Sequence, residues 1–316
     1  MKVVEHLAKA TNPLISFEMI PPRRGGDINQ LFNVVKDIMK YNPPFIDVTS
    51  HAAEVEYIET PHGIKKRIKR KRPGTIGISV AIKNQFHIDT VPHILCHGFT
   101  REETEDALIE LNYLGIENVL AIRGDDLGYV KPLPDHKTQN IYAYELVNQI
   151  SNMNKGIYLE DDLLDASPTD FCIGVGGYPE KHFEAPNMSV EITRVKQKID
   201  AGAHYVVTQL FYENRCYFDF VDKCRAAGIT VPIIPGLKVL TTKHHLANIP
   251  KNFYVNIPEE LANEVLEAKQ EHILEIGAKW AAKQAEELLN KGVPSIHFYI
   301  MQSAKPIQKM FEFLKM

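Results

Sequence analysis

The chain has 316 residues, 44% of them hydrophobic and 24% charged, with a formal net charge of -4. That balance belongs to a globular protein able to bury a large core, and it calls for neither nucleic acid nor an anionic membrane as partner. No stretch approaches the roughly 20 apolar residues of a membrane span. Residues 1–16 lack an apolar export signal, being interrupted early by Lys9, and the four scattered cysteines form no C-x-x-C pair. They read as reduced, buried or incidental thiols of a cytoplasmic protein.

In chain order, strand-like and helix-like runs alternate. Residues 14–20 are β-like, and residues 28–39 follow with Leu31, Val34, Val35 and Ile38 at helical spacing. Residues 45–49 are the next apolar run, followed by a basic, helix-like stretch over 62–71. Residues 91–96 lead into a helix over 100–114, where Thr100 and Glu103 are spaced as a capping box. Residues 118–122 precede a helix over 143–153, and residues 171–175 one over 190–201. Residues 205–211 precede a helix over 217–227, stopped by Gly228. Residues 231–234 run into Pro235-Gly236 and an irregular stretch. Residues 261–290 are strongly helical with a break expected near Gly277, and 296–301 and 306–314 are the last strand and helix. Two segments look inserted: residues 73–87, expected to form an extra hairpin, and the acidic, loop-like residues 158–170.

Eight strand-like runs, each followed by a helix, imply right-handed βαβ units and a parallel sheet, either open and doubly wound or closed. Eight full units in this length favour a single (β/α)8 TIM barrel, an α/β fold forming one domain over residues 1–316. In such a barrel the chemistry collects where strands end.

Several polar residues stand at those ends. Ile15, Phe17 and Met19 share one face, so Glu18 points to the other, where desolvation raises a carboxyl toward the range of a general acid. A structural glutamate paired with a barrel Arg or Lys is the alternative. Arg123-Gly124-Asp125 ends another strand, either as a local ion pair or with the glycine backbone against a flat or phosphorylated ligand. Gln209 offers a donor and an acceptor to the edge of a heterocycle, or else satisfies the core. Residues 174–182 are glycine-rich, then carry Tyr178 and His182, and Pro179 stands where a dinucleotide fingerprint needs a third glycine. His244-His245 and the Glu180, His182, Glu184 group lack a settled ligand spacing, so no metal is expected. The basic run over 65–72 reads as a solvated helix end.

Together these segments resemble the methylenetetrahydrofolate reductase family in chain order across nearly the whole sequence. Ser16-Phe17-Glu18-Met19-Ile20-Pro21-Pro22 is similar to the family's S-F-E-F-F-P-P, and Ala121-Ile122-Arg123-Gly124-Asp125 to its A-L-R-G-D. Gly177-Tyr178-Pro179-Glu180-Lys181-His182-Phe183-Glu184-Ala185 resembles A-G-Y-P-x-x-H-P-E-A. Lys198-Ile199-Asp200-Ala201-Gly202-Ala203 with Thr208-Gln209-Leu210-Phe211 resembles K-V-D-A-G-A…T-Q-F-F, and Ile233-Ile234-Pro235-Gly236 and His297-Phe298-Tyr299 complete the series.

The resemblance implies a flavoprotein with FAD at the C-terminal face of the barrel. Its flavin contacts match Thr49, Ala52, His93, Arg123, Gly124, Asp125, Tyr142, Ala143, Tyr178, His182 and Lys198. The implied reaction passes hydride from NADH or NADPH through the flavin to methylenetetrahydrofolate, forming 5-methyltetrahydrofolate for methionine synthesis. Glu18 is the implied general acid, and Asp125 and Gln209 match the residues that hold the pterin. A homo-oligomer, and the short form without an appended regulatory domain, are also implied. Two departures stand out. Ser303 occupies the place of the family's arginine in H-F-Y-T-L-N-R, and Ile249 aligns loosely with an aromatic residue after the Pro-Gly turn. The basic run over 65–72 could compensate by receiving a polyglutamate tail. A Schiff-base lyase using Lys238, a flavin barrel oxidising an amino acid, and a non-catalytic barrel are the competing readings.

Overall fold

Along the first apolar run Phe17 and Met19 are fully buried on one side of the chain, while Ser16 and Glu18 take the other. A computed structural model describes residues 1–125, 128–135 and 137–314, and in it this alternation recurs around a closed barrel of eight parallel strands. The strands are β1 (Leu14–Met19), β2 (Phe45–Val48), β5 (Asp89–Leu95), β6 (Asn118–Ile122), β7 (Cys172–Gly177), β8 (Tyr205–Leu210), β9 (Ile233–Leu237) and β10 (Ser295–Met301). A separate antiparallel hairpin, β3 (Glu54–Thr60) with β4 (Gly63–Lys69), interrupts the series. The ring runs β1-β10-β9-β8-β7-β6-β5-β2 and closes where β1 pairs with β2, so the single-barrel expectation holds.

Helices α2 (Ile28–Met39), α3 (Thr75–Phe86), α4 (Arg101–Tyr113), α5 (Ala143–Met153), α6 (Met188–Asp200), α7 (Asn214–Ala226) and α10 (Ile273–Asn290) pack outside the strands. The outward strand residues Phe17, Ile46, Val119, Ile173, Val206 and Phe298 meet them in one continuous core. The α4 capping box forms as expected: Thr100 Oγ1 accepts from Glu103 N at 3.1 Å, and Thr100 N donates to the Glu103 carboxylate at 2.9 Å. Gly228 stops α7 with a φ of +77°. Residues 158–170 contain neither helix nor strand, in line with the loop expected there.

An N-terminal helix that the sequence reading passes over, α1 (Val3–Lys9), lies across the lower end of the barrel. Val3, with Val4 and Leu7, packs on the inward residues Phe45, Val91, Leu120, Cys172, Tyr205, Val207 and Ile234. Val3 N donates to Asn118 Oδ1 at 2.8 Å, and His6 bonds Asp89 at 2.8 Å. These contacts close the floor of the barrel.

Several sequence expectations are corrected. Residues 62–71 form no helix, and the run is instead the second strand of the β3–β4 hairpin. Residues 54–60 mix β-forming and acidic residues, and the ladder sets Glu54 opposite Lys69 and Glu56 opposite Arg67, offsetting part of the basic charge. Residues 73–87 in turn form the barrel helix α3, which buries Ile78 and Ile82 one turn apart. The irregular stretch after Gly236 contains α8 (His245–Phe253), whose Ile249 is buried in a side cluster with Leu240, Val255, Leu261 and Ile273. It cannot take the place of an aromatic facing a ligand. The long C-terminal helical region breaks at residues 268–272, between α9 (Glu259–Glu267) and α10, and not at Gly277. The last helix is α11 (Lys305–Phe311).

Gly277 sits inside α10 for a packing reason. A Cβ there would lie 1.9 Å from the carbonyl oxygen of Leu240, so only glycine lets α10 press against the segment leaving β9. Gly277→Ala should therefore destabilise the protein by roughly 1–3 kcal/mol, or displace that segment. Urea unfolding of the variant checks this, and an unchanged midpoint would show the contact to be slack.

Candidate active site

The inward positions change character along the barrel axis. Near the floor they are apolar, and toward the C-terminal ends they become polar: Glu18 on β1, Asp47 on β2, His93 on β5, Gln209 on β8, and His297 and Tyr299 on β10. Lys238 follows β9 directly. Because β9, β10 and β1 are neighbours in the ring, Lys238, Tyr299 and Glu18 belong to one layer.

Glu18 is 14% exposed, and its carboxylate lies 3.5 Å from His93 Nε2. The same nitrogen lies 3.6 Å from Asp47, which is 1% exposed. Among the described residues Glu18 makes no ion pair with an Arg or Lys, so the structural alternative of a barrel salt bridge does not form. Burial lifts Glu18 from an ordinary 4.5 to about 7; His93 and Lys238 pull it down, and Asp47 pushes it further up. Burial likewise lifts Asp47 from 3.8 to about 7, against the pull of His297. His93 and His297 are held below the usual histidine value by the same desolvation. With both raised to about 7, each carboxyl still keeps a share of its protons near neutral pH, which suits an acid that donates.

Lys238 is also held low by burial, with Glu18 opposing. It borders a cavity of about 250 Å³ lined by Thr241, His245, Tyr299, Gln302 and Ser303. Tyr299 turns its hydroxyl away from Glu18 and donates to the carbonyl of Thr208 at 2.6 Å. Gln209 folds back so that its side-chain oxygen accepts from Leu210 N at 2.9 Å.

The remaining expected residues form an arc around the mouth from β2 to α6. Arg123 pairs with Glu184 at 2.5 Å, not with Asp125 as a local pair would have it, and lies 5.6 Å from the ring centre of Tyr142. Tyr142 and Ala143 open α5. The rings of Tyr178 and His182 meet edge to face at 4.8 Å. Lys198, buried on α6, donates to the carbonyl of Gly176 at 2.5 Å. Gly124 has a φ of +86°, and its neighbours Leu95 and His97 lead to Gly98, which packs on Ala52. Asp125 is exposed on the rim, within electrostatic reach of His51 and Tyr178. The structure thus divides the expected set in two. Glu18 and His93 meet inside the barrel, whereas Arg123, Tyr142, Tyr178, His182 and Lys198 gather on the rim.

The rim fits an elongated, anionic cofactor with flat rings. Arg123, His182 and Lys198 supply cationic or donor groups for a diphosphate, and Tyr142 and Tyr178 supply aromatic faces. A Cβ on Gly176 would meet nothing within 4 Å, which leaves open space against the end of β7. Thr49 Oγ1 and His51 Nδ1 are buried with no hydrogen-bond partner among the described residues. Asp47 goes unremarked in the sequence, and His297 and Tyr299 enter there only within a family motif, although on β10 the period-two alternation marks both as inward.

A pH dependence follows from the buried acids. Below about pH 4 their carboxyls are protonated in both folded and unfolded chains. Between the unfolded values of 4.5 and 3.8 and the folded values of about 7, only the folded chain keeps the protons. Raising pH through that window should favour unfolding. Asp47→Asn should remove roughly 3 kcal/mol of this loss, read as the difference between variant and parent unfolding energies at pH 4 and pH 8. Parallel curves for the two proteins would show Asp47 to be ionised throughout.

The family described as methylenetetrahydrofolate reductase matches residues 2–315. The chain is 30% identical to the 5,10-methylenetetrahydrofolate reductase of Salmonella typhimurium, over 92% of this chain and 87% of that protein. It is 29% identical to methylenetetrahydrofolate reductase 1 of Schizosaccharomyces pombe, over 94% of this chain but 45% of the yeast protein. It therefore spans about half the length of that and several other curated relatives. Among solved structures, an uncharacterized protein from Clostridium thermocellum that binds two copies of 5-methyl-5,6,7,8-tetrahydrofolic acid superposes with a TM-score of 0.57. The two share 14% identity over 99% of this chain and 98% of that one, a likeness of fold alone. No described helix is long and apolar enough to cross a membrane. With its barrel matched end to end by one family, the chain belongs to the methylenetetrahydrofolate reductases.

Proposed function

We propose that this protein reduces 5,10-methylenetetrahydrofolate to 5-methyltetrahydrofolate, taking hydride from NADH or NADPH by way of bound FAD. The observation that carries the reading is Glu18, a carboxyl kept protonated to about pH 7 at the inward end of β1, beneath a rim of cationic and aromatic side chains. Family membership supplies the substrate class.

Arg123, His182 and Lys198 would hold the diphosphate of FAD. Tyr142 and Tyr178 would face its rings, with Thr49, Ala52, Gly124, Asp125 and Ala143 completing the rim. FAD, when bound, supplies the hydride acceptor and donor that no side chain can provide. Glu18 donates a proton to a ring nitrogen of the substrate, which opens the five-membered ring and leaves an electrophilic exocyclic carbon. Asp125 at the rim and Gln209 on β8 hold the pterin edge, and Gln209 is released for this by turning from Leu210 N. Product formation feeds methionine synthesis in the cytoplasm, and the protein works on small molecules with no metal, nucleic acid or membrane partner. The basic hairpin keeps Lys65, Lys66 and Arg67 exposed and, among the described residues, without an ion pair, so they are the cations open to a polyglutamate tail. Lys69 and Lys71 are paired with Glu56 and Glu54, Arg70 lies over Phe99, and Arg72 donates to the carbonyl of Pro21.

An anaerobic absorbance titration tests the proposal. Flavin bands should bleach with NADH or NADPH and return on adding methylenetetrahydrofolate; protein that binds no added FAD would refute it. Glu18→Gln should lower the rate of the folate step by about 100-fold or more while the nicotinamide step proceeds. Stopped-flow measurement of each step alone makes the distinction, and a near-normal folate step would take the acid role from Glu18.

A further inference from the structure

Asp47 is a costly residue that no part of the proposed reaction yet employs. It sits inside the barrel, and neither of its carboxyl oxygens has a hydrogen-bond partner among the described residues. A buried carboxyl without such bonds gives the fold nothing in return for its desolvation. Its surroundings are polar all the same: His93 from β5, His297 from β10, Tyr205 from β8 and Glu18 from β1. His297 is fixed by a 2.8 Å bond from its Nδ1 to Ser16 Oγ, whereas Nε2 of His93 and Nε2 of His297 are unpartnered among the described residues. The Nε2 of His93 lies between the two acids, 3.5 Å from Glu18 and 3.6 Å from Asp47. Both gaps are about half an ångström beyond hydrogen-bonding distance, within reach of a small side-chain rotation.

We infer that Asp47 is a proton reserve, a positioning residue that acts through Glu18 by handing it a proton across Nε2 of His93. The inference rests on the proposed folate reduction, which consumes one proton for each hydride delivered. Glu18 gives its proton to the substrate nitrogen and is left as a carboxylate. Nε2 of His93 then takes the carboxyl proton of Asp47, and the imidazolium so formed passes a proton to Glu18. No group is oxidised or reduced, the negative charge ends on Asp47, and one solvent proton restores Asp47 after the product departs. The floor below is closed by α1, so the reserve is a proton source on the barrel side while a ligand covers the mouth.

The test uses the infrared carbonyl bands of protonated carboxyls, assigned to Glu18 and Asp47 by their loss in Glu18→Gln and Asp47→Asn. In ligand-free protein, Asp47→Asn should lower the Glu18 titration midpoint, because the neighbouring acid no longer opposes its ionisation; an unmoved midpoint would overturn the coupling. In a single turnover of reduced holoenzyme with methylenetetrahydrofolate near pH 6, the Asp47 band should bleach and then recover. A constant Asp47 band during normal turnover would overturn the reserve. Asp47→Asn should fold normally and complete its first folate turnover, then run about 10-fold slower in steady state, with Asp47→Glu restoring part of the loss. If the parent protein never reoxidises with folate, the proposed function fails, while the ligand-free titration still decides the coupling of the two acids.

Discussion

Every second residue of a closed parallel barrel must point inward, into a space that eight strands and a floor helix shut off from water. Apolar side chains fill that space readily, and the lower layers here are filled by Phe45, Val91, Leu120 and Tyr205. The upper layers hold acids and imidazoles, and burial alone is enough to change their chemistry. Desolvation is the first cause of the shift at Glu18, Asp47, His93, His297 and Lys238 alike. The interior thus favours the neutral form of each group, protonated for the two acids and unprotonated for the imidazoles and the lysine.

The outside of the barrel serves that interior. Lys238 can reach the same layer as Glu18 because the chain leaving β9 is held in place by α10, and α10 comes close only through Gly277. The hairpin shows the opposite arrangement. Its charges stand on opposing strands, largely in solvent. Two charge-rich regions of one chain thus differ in chemistry through solvent access, not composition.

How much of this can be read from the residues depends on how local the cause is. The capping box at Thr100 and Glu103, the stop at Gly228 and the inward turn of Glu18 each depend on a few adjacent residues, and each is legible. The basic run over 62–71 is not, because its state is decided by the acidic strand that pairs with it, and lysine-rich composition favours a helix only in isolation. Gly277 misleads for a similar reason: its meaning lies in Leu240, remote in sequence. Asp47 hides in a four-residue strand too short to display its period, and its partners arrive from β5 and β10 only once the ring closes. The rim residues Arg123, Tyr178, His182 and Lys198 are recognisable as segments, but the Arg123–Glu184 pair is a tertiary fact.

The sealed floor has one more consequence. A ring without free edges, plugged below by Val3 and Leu7, opens among the described residues at its upper end. Visitors to the chamber must leave by the way they came, so an electron donor and an electron acceptor of the proposed reaction queue at one threshold. Each then becomes a competitor of the other when present in excess, and throughput peaks at a balance of the two supplies. The traffic rule belongs to the architecture, before any side chain at the mouth has been chosen.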